Sequence, residues 1–78
     1  MKFEIYSKPG CPYCDKIKVV MAQYKLDHTV KTLYEDFTKQ EFYARFGEGS
    51  TFPQVIENDE HLGGCVDTVK HLRTRGII

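Results

Sequence analysis

The stretch that decides the fold covers residues 2–24 and reads KFEIYSKPGCPYCDKIKVVMAQY. Its first part, KFEIYS (2–7), is rich in β-forming residues and predicts a short strand. The turn-forming KPG (8–10) follows, and Pro12 then stands where proline is favoured, in the first turn of a helix. Apolar residues recur at helical spacing from Ile17 to Tyr24. We therefore expect a strand, a tight turn and a helix over roughly residues 12–25, with Cys11 at the start of the helix.

The middle of the chain predicts a second strand and a second helix. HTVKTL (28–33) has the composition of a strand. Thr38 and Glu41, three residues apart, form the capping-box pattern that marks the start of a helix. Gly47 and Gly49 are expected to end that helix, because glycine readily adopts the backbone conformation found at helix C-termini.

The last third of the chain predicts two strands and a helix. FPQVIE (52–57) is interpreted as a strand with Pro53 at its entrance, where a sheet tolerates proline. A short NDE turn leads to a fourth strand beginning at His61, and so tight a connection makes an antiparallel hairpin. Gly63-Gly64 break that strand, and apolar spacing after Cys65 predicts the final helix. The predicted order is β-α-β-α-β-β-α, an α/β fold whose first half is a right-handed βαβ unit with parallel strands.

Length and composition limit the classes of protein to consider. The 78 residues, 41% hydrophobic and 28% charged, are expected to form one small domain over 1–78. Eleven basic residues balance eleven acidic ones, which argues against nonspecific nucleic-acid binding because that binding needs clustered positive charge. No stretch approaches the roughly 20 apolar residues of a membrane helix, and no segment has the pattern of a signal peptide. We therefore expect a cytoplasmic protein that binds neither nucleic acid nor membrane.

The reactive chemistry of the sequence is concentrated in Cys11-Pro12-Tyr13-Cys14. In a reducing compartment a close cysteine pair is more often catalytic or metal-binding than structural. A helix N-terminus offers free N–H groups and a partial positive charge, and both stabilise a thiolate at Cys11. Lys8 adds a positive charge three residues earlier. We expect an exposed Cys11 to attack a disulfide and a more buried Cys14 to resolve the resulting mixed disulfide.

Two other interpretations of the pair stay open at this point. A zinc site needs about four ligands, and Cys65 with His61 could complete such a site around Cys11 and Cys14. A merely structural disulfide is the other alternative. Redox chemistry is favoured because a C-x-x-C beside a βαβ pattern is typical of thioredoxin-like motifs. Cys65 is expected to pack as a small apolar residue, and the three histidines are expected to be surface or packing residues with no evident partner.

Three separate segments give the chain a family resemblance. KPGCPYC (8–14) matches the active-site loop of the glutaredoxins, TFPQV (51–55) matches their Thr-Val-Pro segment, and GGCVD (63–67) matches their Gly-Gly-Cys/Ser-Asp-Asp segment. The chain therefore resembles a small dithiol glutaredoxin of the bacterial and phage type. This resemblance implies a thioredoxin-like fold, a four-stranded mixed sheet flanked by three helices. It also implies a glutathione-dependent thiol–disulfide oxidoreductase that reduces protein disulfides and glutathione mixed disulfides.

The resemblance implies a glutathione groove built mainly from backbone. A cis peptide is expected before Pro53, and the backbone of Phe52, which stands where valine is usual, would pair with the cysteinyl part of glutathione. N–H groups at the start of the last helix, over Gly64–Val66, would hold the γ-glutamyl carboxylate. Asp67 would face the ammonium group of the same moiety. Val66 replaces the first of the family's two acidic residues at this helix start.

Three further residues complete the implied site. Lys8 and Gln40 correspond to groups near the glycyl carboxylate, and Tyr13 corresponds to an aromatic residue that flanks the groove. Cys65 also falls within the implied groove. Glutathione is then a co-substrate, with no tightly bound cofactor and no metal. The implied partners of the monomer are glutathione and disulfide-containing proteins, and ribonucleotide reductase is the protein substrate that the family suggests.

Two alternatives remain within related chemistry. Some small glutaredoxin-like proteins are recycled by thioredoxin reductase, whereas CPYC and Asp67 favour glutathione as the donor. An iron–sulfur carrier would ligate a cluster between two protomers through Cys11 and glutathione. Pro12 disfavours the carrier, because cluster-binding relatives tend to have a smaller residue at that position.

Overall fold

The computed structural model describes residues 2–78 as a four-stranded sheet with helices on both faces. Its elements are β1 (Phe3–Ser7), α1 (Pro12–Gln23), β2 (His28–Thr32), α2 (Lys39–Phe46), β3 (Gln54–Glu57), β4 (Glu60–Gly63) and α3 (Cys65–Thr74). The strands lie in the order β2-β1-β3-β4. β1 is parallel to β2 and antiparallel to β3, and β3 is antiparallel to β4. The predicted element order and the predicted mixed sheet are both confirmed.

The element boundaries differ from the predicted ones by a few residues, for local reasons. α1 ends at Gln23 instead of residue 25, and Lys25 turns the chain with a left-handed φ of 54°. β3 begins at Gln54, two residues later than predicted, because Pro53 has no N–H to donate to a neighbouring strand. The strand β3 therefore begins directly after the proline.

α2 begins at the predicted capping box. Thr38 Oγ1 accepts a hydrogen bond from the N–H of Glu41 (3.1 Å), and the Glu41 carboxylate accepts one from the N–H of Thr38 (2.9 Å). Gly47 ends the helix with a φ of 102°. None of the helices within residues 2–78 is long and apolar enough to cross a membrane.

Two apolar clusters pack on opposite faces of the sheet. The alternation of β1 directs Phe3 and Ile5 to one face and Tyr6 to the other. The first cluster joins the sheet to α1 and α3 and consists of Phe3, Ile5, Ile17, Met21, Val55, Cys65 and Leu72. The second joins the sheet to α2 and consists of Tyr6, Leu33, Phe37, Phe42 and Ile56. Met21 and Phe42 are core residues as predicted, whereas Phe46 is only half-buried.

The histidines have specific partners, so the expectation that they lack them was wrong. His28 Nδ1 lies 2.8 Å from the backbone carbonyl oxygen two residues earlier. His71 Nε2 lies 3.7 Å from the carboxylate of Glu57, which also accepts a hydrogen bond from Arg75. Glu57 is 6% exposed at the end of a central strand, and a carboxylate so buried needs cationic partners. His61 belongs to the candidate site described next.

Candidate functional site

The turn between β1 and α1 places the cysteine pair at the N-terminus of α1. Cys11 is the N-cap residue of that helix, and it is paired with Cys14 in a disulfide, so the structure describes the oxidised form. Cys14 is completely buried and Cys11 is 6% exposed. The predicted order of burial is confirmed, but Cys11 is much less exposed than expected. Only a small part of the Cys11 surface is therefore accessible to an incoming sulfur.

The start of α1 supplies positive potential to Cys11. Cys11 Sγ accepts a hydrogen bond from the N–H of Cys14 at 3.2 Å, as an N-cap side chain does. The unpaired N–H groups of the first helical turn concentrate partial positive charge at the same point. In the reduced protein this donor and this charge favour the thiolate, which is the nucleophilic form of cysteine.

The loop before β3 covers the other side of Cys11. The Phe52–Pro53 peptide bond is cis, as the resemblance implied, and the carbonyl oxygen of Phe52 lies 3.7 Å from Cys11 Sγ. The Phe52 ring stacks on Phe42 with centroids 4.1 Å apart and 9° between the ring planes. The ring is thereby fixed against the second core cluster, and the backbone of Phe52 is left beside the sulfur.

A groove of about 410 Å³ connects this loop to the start of α3. It is lined by seven residues that the sequence placed in the site: Tyr13, Phe52, Pro53, Gly64, Cys65, Val66 and Asp67. Gly64 is the N-cap of α3, and among residues 2–78 no side chain caps the first-turn N–H groups. These N–H groups at the groove are therefore available to an anion.

A second groove of about 410 Å³ lies on the opposite side of Phe52. It is lined by Cys11 and by two cationic side chains, Lys8 and Lys39. The Nζ of Lys8 lies 5.3 Å from the centroid of the Phe52 ring. Gln40 is exposed on α2 and lines neither groove, whereas Lys39, its neighbour in the sequence, does.

Sequence reasoning missed a polar chain along the wall of the first groove. The Gln54 amide donates to the carbonyl oxygen of Thr51 (2.8 Å), and its Oε1 lies 2.6 Å from His61 Nε2. Because the Gln54 oxygen can only accept, the proton of His61 belongs on Nε2. A buried glutamine at the start of a strand needs partners, and the predicted hairpin brings residues 54 and 61 close together. A glutamine at the start of a strand, together with a histidine facing it across the hairpin, could therefore have predicted the hydrogen bond between Gln54 and His61.

Cys65 is a free cysteine that takes no part in the disulfide. Its thiol is 5% exposed and belongs to the first core cluster, as expected of a small apolar residue. Burial raises the pKa of the Cys65 thiol, although the charge of Lys16 opposes the effect. Within residues 2–78, no three His, Cys, Asp or Glu side chains are grouped so as to hold a metal ion.

Comparison with known proteins finds similarity to the glutaredoxins in sequence and in structure. The glutaredoxin family model matches residues 3–62. Glutaredoxin 3 of Escherichia coli K12 is 30% identical over 64 residues, which cover 82% of this chain and 77% of that protein. The structure of reduced E. coli glutaredoxin matches all of both chains with a TM-score of 0.83 at 21% identity. A buckwheat glutaredoxin–glutathione complex matches 96% of this chain and 71% of that one with a TM-score of 0.69 at 22% identity.

Proposed function

The chain belongs to the glutaredoxin family and is a thiol–disulfide oxidoreductase, and we propose that it reduces protein disulfides and glutathione mixed disulfides with electrons from glutathione. One observation carries this proposal. The carbonyl oxygen of Phe52 lies 3.7 Å from Cys11 Sγ, at one end of a groove that leads to the uncapped start of α3. A tripeptide whose sulfur meets Cys11 has a backbone partner at one end and an anion site at the other.

Each part of glutathione has a candidate partner along the grooves. The cysteinyl backbone pairs with Phe52, beside Pro53, in the manner of an added strand. The γ-glutamyl carboxylate accepts hydrogen bonds from N–H groups over Gly64–Val66, and Asp67 faces the ammonium. Tyr13, which is 57% exposed, forms a side of the same groove.

The glycyl carboxylate is assigned to the second groove. Lys8 lines that groove and supplies positive charge. Lys39 is a better candidate than Gln40 for the contact from α2, because Lys39 lines the groove and Gln40 does not. The buckwheat relative, solved as a glutathione complex, supports glutathione as the ligand.

The proposed reaction moves two electrons through Cys11. The Cys11 thiolate attacks one sulfur of a substrate disulfide, forms a mixed disulfide and expels the other sulfur as a thiolate, which takes up a proton. Cys14, as its thiolate, attacks Cys11 Sγ, forms the Cys11–Cys14 disulfide and releases the second substrate thiol. One glutathione thiolate then attacks Cys11 and frees Cys14. A second attacks the bound glutathione sulfur, which releases oxidised glutathione and restores the Cys11 thiolate.

Two cysteine variants test this order of events. Cys11→Ser is expected to abolish reduction of every disulfide. Cys14→Ser is expected to lose reduction of protein disulfides but to keep turnover of glutathione mixed disulfides, because that reaction needs only the first thiol. Full activity of Cys11→Ser in an assay coupled to glutathione reductase would show that another group is the nucleophile.

The electron donor is tested by exchanging the reducing system. We expect turnover with glutathione and glutathione reductase, and little turnover with thioredoxin reductase, since the grooves beside Cys11 fit a small anionic peptide. Ribonucleotide reductase is the first protein substrate to assay, and we propose that the protein acts as a cytoplasmic monomer. Faster turnover with thioredoxin reductase than with glutathione would refute the assignment of the donor.

A further inference from the structure

A third groove lies between α1 and α3, and the proposed glutathione chemistry does not use it. Its volume is about 640 Å³, larger than that of either groove beside Cys11. Apolar side chains of both helices line it, among them Val20 and Val69. Three cations, Lys16, Lys70 and Arg73, line it as well, and none of its lining residues in the described chain is acidic.

The three cations of the α1–α3 groove form no salt bridge within residues 2–78. The salt bridges found within residues 2–78 involve other basic residues: Lys18, Lys31, His71 and Arg75. Lys16 is close enough to Cys65 for its charge to act on that thiol. The groove therefore combines an apolar lining with positive charge that has no acidic partner in the described chain.

The α1–α3 groove adjoins the candidate glutathione groove. Cys65 and Val66 line both of them. Val66 is 69% exposed and stands at the junction, where the resembling family has an acidic residue. A substrate segment that passes over Val66 meets an apolar side chain there, and the neighbouring Asp67 lines the glutathione groove but not the α1–α3 groove.

We propose that the α1–α3 groove binds an extended segment of the protein substrate that flanks its reactive cysteine and alternates acidic with apolar residues. Charge complementarity selects acidic side chains, since every charged group lining the groove is a cation. An extended segment that flanks the reactive cysteine can follow the two adjoining grooves, since Cys65 and Val66 line both of them. A concave groove fits such a peptide better than it fits a flat membrane surface. This inference rests on the proposed function, because it names a class of substrate for the same dithiol.

The experiment compares two peptides with the same internal disulfide and different flanking residues. One peptide is flanked by alternating Asp and Leu, and the other by alternating Lys and Leu. Two or three exposed charge contacts, each worth a few-fold at most, predict roughly a tenfold higher kcat/KM for the acidic peptide at about 0.01 M salt, where the Debye length is about 30 Å. The preference is expected to approach unity at about 1 M salt, where the Debye length is about 3 Å.

A charge-reversal pair locates the effect on the molecule. The double variant Lys70→Glu with Arg73→Glu is expected to lose or reverse the preference for the acidic peptide. Lys2→Glu with Lys25→Glu changes the net charge by the same amount outside the groove, and it is expected to keep most of the preference. Both double variants are expected to reduce bis(2-hydroxyethyl) disulfide at the wild-type rate, since neither touches the site at Cys11.

Three results would overturn the inference, and each differs from a failure of the proposed function. Equal kcat/KM for the two peptides would refute the proposal that the groove selects an acidic segment. An equal loss of preference in both double variants would assign the effect to net charge. Binding to phosphatidylserine vesicles that depends on Lys70 and Arg73, without any peptide preference, would assign the groove to membranes. If the wild-type protein failed to reduce the small disulfide with glutathione, the proposed function itself would be wrong.

Discussion

Replacing Gly63 with alanine is expected to weaken glutathione binding by displacing Asp67. Gly63 has a φ of 107°, which L side chains rarely adopt, so alanine there adds strain of about 1–3 kcal/mol. The new Cβ would stand 2.8 Å from Asp67 Oδ2 and 3.0 Å from Asp67 Cβ. Ordinary contact begins near 3.4 Å, so the Asp67 side chain must retreat by about half an ångström. That movement takes the carboxylate away from the position proposed to face the γ-glutamyl ammonium.

The expected size of the effect follows from the exposure of Asp67. An exposed ion pair contributes about 0.2–1 kcal/mol, which corresponds to a rise in KM of up to about fivefold. The kcat should change little, because neither Cys11 nor Cys14 is moved. A chain of this size is stable by roughly 4–12 kcal/mol, so the added strain lowers the melting temperature without unfolding the protein at 25 °C.

Gly47→Ala is the matched control for Gly63→Ala. Gly47 has a φ of 102°, and the nearest atom to its new Cβ would be Ser50 Oγ at 3.7 Å, an ordinary contact. Both variants should therefore melt earlier, by roughly 4–8 °C for each kcal/mol of strain. Only Gly63→Ala should raise the KM. Asp67→Asn should raise it to a similar extent, and combining Asp67→Asn with Gly63→Ala should add little, because both changes remove the same contact.

The assay measures KM and kcat for a glutathione mixed disulfide in a reaction coupled to glutathione reductase. Thermal unfolding of the same preparations provides the stability of each variant. An unchanged KM in Gly63→Ala would refute the placement of Asp67 at the ammonium. An equal rise in Gly47→Ala would attribute the loss to general destabilisation.

Four further outcomes follow from the packing and from the burial of Cys65. Thr38→Ala should lower the free energy of unfolding by about 1 kcal/mol, measured by urea denaturation, because it removes the cap of α2. Phe42→Leu should lower it by about 1–3 kcal/mol, because it removes the stack on Phe52 and the contacts with neighbouring rings. Cys65 in the oxidised native protein should react slowly with iodoacetamide at pH 7 and faster as the pH rises towards its raised pKa, which lies above the ordinary value of 9.0, as followed by mass spectrometry. Since burial raises the pKa of Cys65 in the folded state, its contribution to stability is present below pH 9.0 and declines as the pH rises towards the raised value.

Patterns of neighbouring residues in the sequence predicted the helices and strands of this fold. They did not predict the contacts between residues that are distant in the sequence. Proline in the first turn of α1 and the capping box of α2 depend only on neighbouring residues, and both were found from the sequence. The burial of Cys11 was missed because it involves contacts with distant residues, such as Phe52, which is 41 residues away. The pair of Gln54 and His61 was missed for the same reason, since it depends on how β3 and β4 are paired.

The two departures from the family pattern have different structural consequences. Phe52 replaces the usual valine, but its ring is stacked 4.1 Å from Phe42, so the larger side chain is accommodated by packing against α2. Val66 replaces an acidic residue and remains 69% exposed, so nothing in the described chain covers it. The stack on Phe42 holds the Phe52 ring in one position, although Phe52 lines both grooves beside Cys11. The exposed Val66 side chain has no such support and lies where two grooves adjoin. Differences in the choice of protein substrate between this protein and its relatives should therefore depend on Val66 and on the cations of the α1–α3 groove.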